Sequence, residues 1–367
     1  MKLSDNEQLV LDLLRKDPYV SQQYMAEKLS LSRPSIANLI SGLQEKGIIL
    51  GKPYVLREID YVTCIGGANM DYTFRLEDEM MMGTSNPVKS SVSFGGVIRN
   101  VAENIARLGE DVSLMTLVGD DVHGEELLVK NGVLMETFAS SKIRGESTGG
   151  YYSILGEDGN MAVGYADMSI NEKMDRSWIL SHQKHLHMSK WMIADTNMLQ
   201  EALDALLTFS ISEEKPLAII GVSSPKMKHM PNELHGLHLL ICNMDESQTY
   251  FQTNETDPHK LMTLWLNKGI KKVVITLGKE GSIYGEKSIV KRMKPYIVDM
   301  EEIVDTTGAG DAFSGALLFG LIKGLSFEES VKLGTVSASN TIQCAFSVDP
   351  NLSYKQLQKE CKTYEQI

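Results

Sequence analysis

Apolar residues recur at helical spacing three times within the first fifty positions. Leu9, Val10, Leu13 and Leu14 predict a first helix, opened by Ser4 or Asp5 and stopped by Asp17-Pro18. A second begins at Ser21 and carries Tyr24, Met25 and Leu29. After Ser30-Leu31-Ser32 a third sets Pro34 in its first turn and Ile36, Leu39, Ile40 and Leu43 on its buried stripe, with Gly47 ending it. Ile48-Ile49-Leu50, the turn Gly51-Lys52-Pro53 and Tyr54-Val55-Leu56 predict a β-hairpin. From Tyr61 onward the rhythm changes. Short apolar runs at Tyr61–Ile65, Val112–Leu117, Leu217–Val222, Leu237–Cys242 and Lys272–Thr276 alternate with helical stretches at Ile98–Leu108, Asp311–Leu321 and Phe327–Ile342. Such alternation predicts an α/β domain, its mostly parallel sheet covered on both faces and its ligands at the carboxyl ends of the strands. Two stretches, 72–94 and 147–165, keep a period of two instead (Val88, Ser90, Val92, Phe94; Tyr151, Ser153, Leu155). Lying on either side of Gly95-Gly96, they predict a small antiparallel sheet projecting over the ligand as a lid.

Length and charge divide the chain unequally. Its 367 residues exceed an average domain, and the change of rhythm separates residues 1–58 from 59–367. Residues 1–58 hold eight Lys and Arg against seven Asp and Glu, a balance of +1 that leaves −13 of the total −12 on the larger part. That acidity argues against nucleic acid coating the larger part, and the first sixty residues escape the argument. No run is apolar enough to cross a membrane, and the polar opening Met1-Lys2-Leu3-Ser4-Asp5-Asn6-Glu7 does not read as a secretory leader. Cys64, Cys242, Cys344 and Cys361 are far apart and make no C-x-x-C pair, so the expected compartment is the reducing cytoplasm. His182, His185 and His187 lack neighbouring Cys or carboxylates and read as a solvated helix end and strand rather than a metal site.

Three short helices and a hairpin resemble a winged helix-turn-helix, as does the phrasing Leu31-Ser32-Arg33-Pro34-Ser35-Ile36 before Leu43-Gln44-Glu45-Lys46-Gly47. The resemblance implies DNA binding, with the third helix in the major groove offering Arg33, Ser35, Asn38 and Ser41. A balance of only +1 neutralises few phosphates, and dimerisation could join two half-sites.

The stretch that carries chemistry is Asp305-Thr306-Thr307-Gly308-Ala309-Gly310-Asp311, leading into the helix Ala312-Phe313-Ser314-Gly315-Ala316-Leu317. A phosphoryl group in flight is anionic, and a glycine-lined helix start offers it unpaired N–H groups and the positive end of the dipole. Asp311 in the first turn would face the same pocket and could accept a proton from an attacking hydroxyl. Here the sequence resembles the PfkB/ribokinase family of carbohydrate and nucleoside kinases, from about Tyr61 to the C-terminus. Its second signature matches at Asp305 through Asp311 with Phe313 and Gly315. The first matches at Gly95-Gly96, Asn100, Ala102, Asn104, Ala106, Leu108 and Gly109. Gly66-Gly67-Ala68-Asn69 with Asp71, Gly119-Asp120-Asp121 with Gly124, Asn243 with Glu246, and Thr276-Leu277-Gly278 with Gly281 follow in family order.

The resemblance implies a ribokinase-like three-layer sandwich with a β-sheet lid, and ATP and Mg²⁺ at the site. Asp311 would be the base and Gly308, Ala309 and Gly310 the anion hole. Asn69, Asp71 and Asn100 would bind sugar hydroxyls, with Gly95 and Gly96 letting the backbone come close. Asn243, Thr276, Gly278 and Gly281 would border the nucleotide, and Glu246 with Asn243 would order the water shell of Mg²⁺. Asp305 and Thr307 would hold a monovalent cation such as K⁺. Ser85-Asn86-Pro87, the Gly95–Asn104 stretch, Ala166-Asp167-Met168 and Val348-Asp349-Pro350-Asn351-Leu352-Ser353 resemble the subgroup containing pseudouridine kinases, which implies the 5′-hydroxyl of a C-linked nucleoside. A pentose, a fructose-type sugar or another nucleoside stays open, because Gly221-Val222-Ser223-Ser224-Pro225-Lys226 stands where that subgroup has an acidic residue and proline. A transcription regulator with a kinase-like sensor domain is the alternative of another class, but a sensor needs no general base and Asp311 is in place. Exposed lid edges, and relatives that pair through their lids, imply a homodimer.

Overall fold

The computed structural model describes residues 3–51, 60–156 and 158–364. Its first helices are α1 (Asp5–Lys16), α2 (Gln22–Leu29) and α3 (Arg33–Glu45). Each starts on a serine whose side chain accepts an otherwise unpaired amide: Ser4 from Glu7, Ser21 from Tyr24, Ser32 from Ser35. Glu7 accepts the Ser4 N–H in return, at 2.9 Å. The core formed by Val10, Leu11, Leu14, Met25, Ala26, Ile36, Ile40 and Leu43 differs from the expected stripe in α1: Leu11 is buried, while Leu9 is 46% exposed. The inward face of α1 is set by positions 7, 10, 11 and 14, a complete i, i+3, i+4, i+7 set to which Leu9 does not belong. Tyr24 is likewise half exposed. The turn and second strand of the expected hairpin, and the boundary at 58/59, lie outside the described residues.

The larger part is built on an eight-stranded sheet: β1 (Tyr61–Ile65), β4 (Val112–Met115), β9 (Ser189–Asp195), β10 (Leu217–Ile220), β11 (Leu239–Asn243), β12 (Lys272–Thr276), β13 (Ser282–Glu286) and β14 (Ile289–Met293), in the order β14-β13-β12-β11-β10-β9-β1-β4. The pairs from β12 to β4 are parallel; β13 and β14 add an antiparallel edge. In the middle of the sheet β10 is a continuous apolar run because both of its faces are buried. Leu217 and Ile219 enter one core cluster, Ala218 and Ile220 the other. The expected run Val112–Leu117 is divided. It leaves the main sheet after Met115, and Leu117 opens β5 (Leu117–Gly119), which pairs with β6 (Ser141–Ile143) in a separate ribbon.

The lid contains β2 (Asn69–Leu76), β3 (Val88–Gly95), β7 (Gly150–Leu155) and β8 (Met161–Asp167), ordered β3-β2-β7-β8. It is mixed rather than antiparallel, since β2 and β7 run parallel. The chain passes through α4 (Val97–Arg107), β4, β5, α5 (Val122–Asn131) and β6 between the two hairpins, so it re-enters the lid in the same direction. Alternation separates the lid faces. One row across the sheet is Ser93, Asp71, Tyr151 and Ala166; the next, on the opposite face, is Val92, Tyr72, Tyr152 and Tyr165.

Candidate active site

Strand ends and helix starts bring the candidate residues together. Asn69 and Asp71 open β2, and the Asn69 amide donates to Asp71 Oδ1 at 2.6 Å. Gly95 closes β3 beside them. A Cβ at Gly95 would lie 2.1 Å from Asp71 Oδ2, so the glycine first makes room for that carboxylate. Asn100, in the first turn of α4, donates to Asp311 Oδ2 at 2.8 Å, joining two parts of the chain that are 211 residues apart. Asp311 stands in the first turn of the Ala309–Ile322 helix. Gly308 takes up φ +82° there, left-handed geometry that favours glycine, and a Cβ on it would meet Ser347 O at 2.1 Å. Over Gly310 the space is open, with nothing within 4 Å of where a Cβ would stand. Asp305 Oδ1 accepts the Thr307 N–H at 2.8 Å and shapes the approach to that helix.

Sequence reasoning did not find Asp195. It ends β9 at the centre of the sheet, fully buried, and accepts from Gly67 N at 3.3 Å and from Asn197 N and Nδ2 at 3.1 and 3.0 Å. A readable signal existed: the apolar run Met192-Ile193-Ala194 ends in a carboxylate, as a ligand-proximal strand end does. The pocket thus gathers three acids and one cation. Part of Asp311 stays accessible, yet burial chiefly pushes its carboxyl up to about 7; Asp195 and Asp71 add like charge, while the Asn100 bond and Arg99 oppose the rise. Burial also raises Asp71 to about 6, against its Asn69 bond and Arg99, and raises Asp195 to about 6 against its amide donors.

Along the sheet, a cleft of about 400 Å³ at the ends of β11 and β12 is lined by Asn243, Thr276 and Gly278, with Thr256, Leu277 and Arg292. Gly281 is outside that lining, in the turn before β13, where a Cβ would meet Met293 O at 2.1 Å. Glu246 is buried; its Oε2 accepts the Asn243 N–H at 2.9 Å and its own N–H donates to Asn243 Oδ1 at 2.8 Å. The two form a capping box, and burial pushes the Glu246 carboxyl up. The glycine at 221 has a local reason, since a Cβ there would stand 2.3 Å from Glu246 Oε2. Asn86 accepts from Met81 N at 2.7 Å and donates to Met81 O at 2.9 Å, which staples its own lid loop.

Of the three histidines, His185 departs from the solvated end the sequence implied, while His182 and His187 stay partly exposed. His185 is 6% exposed and packs on the Tyr61 and Phe138 rings, because the short helix carrying it turns inward under β1.

A model of the "pfkB family carbohydrate kinase" matches residues 59–352, four-fifths of the sequence and a range that includes this helix start and cleft. The chain belongs to the pfkB family of carbohydrate kinases. It is therefore a phosphotransferase with an alcohol group as acceptor, on the ribokinase-like fold. A winged helix-turn-helix model matches residues 3–49, so the family domain carries this unit at its N-terminus. The pseudouridine kinase of Escherichia coli (strain K12) is similar at 30% identity over 81% of this chain and 95% of its own. The uncharacterized sugar kinase YeiI of the same organism is 28% identical over 96% of this chain and 97% of its own, a span that includes the N-terminal unit. Among solved structures, a carbohydrate kinase from Agrobacterium tumefaciens superposes with a TM-score of 0.72 at 25% identity, covering 83% of this chain and 97% of that one. No helix among the described residues is long and apolar enough to cross a membrane.

Proposed function

We propose that this pfkB-family kinase transfers the γ-phosphoryl group of ATP to a primary hydroxyl of a sugar or nucleoside, and that the acceptor is the 5′-hydroxyl of pseudouridine. The observation that carries the first half is the Asn100–Asp311 bond at the start of a helix whose Gly310 side is open. The 30% identity to a pseudouridine kinase supports the second half. Asn69 and Asp71 orient the acceptor, and Asp311 takes the hydroxyl proton as the oxygen attacks the γ-phosphorus in line. The N–H groups of Gly308, Ala309 and Gly310 receive the charge that develops on the phosphoryl oxygens. The cleft at Asn243, Thr276 and Gly278 has the volume and polar rim for the nucleotide, with Gly281 shaping its edge from behind.

Glu246 fits a water-mediated role toward Mg²⁺ through the oxygen its capping box leaves free, and Mg²⁺ when bound supplies charge neutralisation at the phosphates. Asp305 and Thr307 offer hard oxygen donors beside the anion hole, suited to a monovalent cation such as K⁺. We assign residues 1–58 to DNA binding and 59–367 to catalysis, in a cytoplasmic homodimer. Arg33, Asn38 and Ser41 are exposed on α3, while Ser35 shares its hydroxyl with Ser32 at 2.7 Å. A substrate panel of pseudouridine, uridine, ribose and fructose with coupled ADP detection tests the acceptor. The expected result is a preference for pseudouridine of at least about tenfold in kcat/KM. Equal turnover of uridine and ribose would reject pseudouridine and retain the kinase.

A further inference from the structure

A terminal amide can present either its nitrogen or its oxygen, and only the nitrogen of Asn100 can donate to Asp311. What fixes the choice lies on the other side of the amide. Arg99 Nη1 donates to Asn100 Oδ1 at 2.9 Å, which leaves Nδ2 for Asp311 Oδ2 at 2.8 Å. The guanidinium is itself held. Its Nε donates to Asn131 Oδ1 at 3.0 Å at the end of α5, Nη1 lies 3.4 Å from Phe94 O near the end of β3, and Nη2 pairs with Glu103 one turn along α4. The Phe94 ring stands 5.8 Å from its central carbon, and the residue is 8% exposed. Burying a cation is costly, and an apolar side chain would fill the same space without that cost. The charged groups facing the Asp311 carboxyl are Asp71 from β2, Asp195 from β9 and Arg99 from α4; Glu103 and Arg107 flank Arg99 on its own helix.

We infer that Arg99 is a positioning residue for phosphoryl transfer: it fixes the Asn100 amide, which holds the Asp311 carboxylate in a single orientation at the mouth of the anion hole. The inference rests on the reading of Asp311 as general base. It adds that the orientation and the charge state of that base are set from behind by a side chain that need not touch the substrate. The arrangement also ties the base to the lid, since the same guanidinium meets the last turnings of β3.

Arg99→Met tests it, with kcat and kcat/KM followed across pH. The acid limb of kcat/KM is expected to move up by about one pH unit, because a group that holds Asp311 down is gone. In the same variant kcat at pH 7 falls about tenfold or more, while KM for ATP stays within about twofold. Glu103→Gln is the control, since it removes the ion partner but keeps the Arg99–Asn100 bond; a lower Tm with an unmoved acid limb is expected. Should Arg99→Met not fold, Arg99→Lys decides. It keeps a cation opposite Glu103, but one ammonium cannot serve Asn100, Asn131 and Phe94 together, so kcat falls about fivefold with a smaller upward move of the limb. Wild-type kcat and limb in the variant that folds overturn the inference. So does lost activity with an unmoved limb, the mark of a merely structural arginine, and so does an equal shift in Glu103→Gln. Asp311→Asn separates the two readings: normal turnover in that variant removes the base itself, whereas an inactive Asp311→Asn beside an unaffected Arg99→Met removes only the role of Arg99.

Discussion

Asp311 sits with two other carboxylates and a single guanidinium, and the balance among them sets both its reactivity and its cost. A carboxyl raised to about 7 is a better proton acceptor than an ordinary one, provided the pH leaves it ionised. Asp311→Asn is expected to lower kcat by about 10²–10⁴-fold while leaving nucleotide affinity unchanged, measured by steady-state kinetics and nucleotide titration. The same shift carries a stability sign. The folded-state value exceeds the unfolded one near 3.9, so the contribution of Asp311 to stability is fully present below about pH 4 and is lost as pH rises through about 7. Asp311→Asn should therefore stabilise the protein by about 1–3 kcal/mol at pH 8 and leave it nearly unchanged at pH 4. Thermal unfolding of both proteins at the two pH values checks this; equal Tm differences at both would contradict the raised carboxyl.

At the scale of elements, the site depends on how closely α4 approaches the Ala309–Ile322 helix, because Asn100 comes from one and Asp311 from the other. Gly315 permits that approach: a Cβ there would stand 2.6 Å from the Asn104 Cβ and 3.2 Å from Val101 O. Gly315→Ala is expected to cost about 1–3 kcal/mol, read from the urea midpoint, and to lower kcat as the Asn100–Asp311 bond lengthens. An unchanged midpoint would mean that the crossing has slack. These contacts explain what the sequence could and could not convey. Asn104 and Gly315 were visible as motif positions, and the helix starts at Ser4 and Ser21 were visible because a cap is a local hydrogen bond. Strands β1 and β12 were readable to the residue, since an apolar run bounded by polar residues leaves little choice. β9 was missed, because it opens on polar Ser189-Lys190 and its apolar run, Trp191-Met192-Ile193-Ala194, covers only four of its seven positions. With it went Asp195, whose bond from Gly67, 128 residues away, is made only when β9 lies beside β1. The parallel β2–β7 pair was hidden for a similar reason. Direction of pairing depends on the path of the intervening eighty or so residues, which local alternation does not encode.

The molecule as a whole carries its charge and its apolar surface in places that bear on assembly. The outward lid row has Val92 and Tyr165 at 56% and 59% exposure beside the stacked Tyr72 and Tyr152 rings, whereas the row holding Asp71 has one ring, Tyr151, among Ser93, Asp71 and Ala166. An apolar sheet face of this kind is stabilised when a second copy covers it, and a homodimer through the lids would do so. Dimerisation also answers the problem of charge. One N-terminal unit has a balance of +1 within a chain of −12, so a single unit releases few counterions on DNA and binds weakly, while two joined units add their contacts on adjacent half-sites. Val92→Asp, which places a charge on the outward row without touching α3 or the base, is then expected to give a monomer in sedimentation velocity. At fixed salt it should also weaken binding to operator-containing DNA by about tenfold or more, whereas Arg33→Ala weakens DNA binding in a protein that stays dimeric. A Val92→Asp monomer that binds DNA as tightly as the parent would place the affinity in a single winged unit, and a Val92→Asp dimer would move the interface away from the lid.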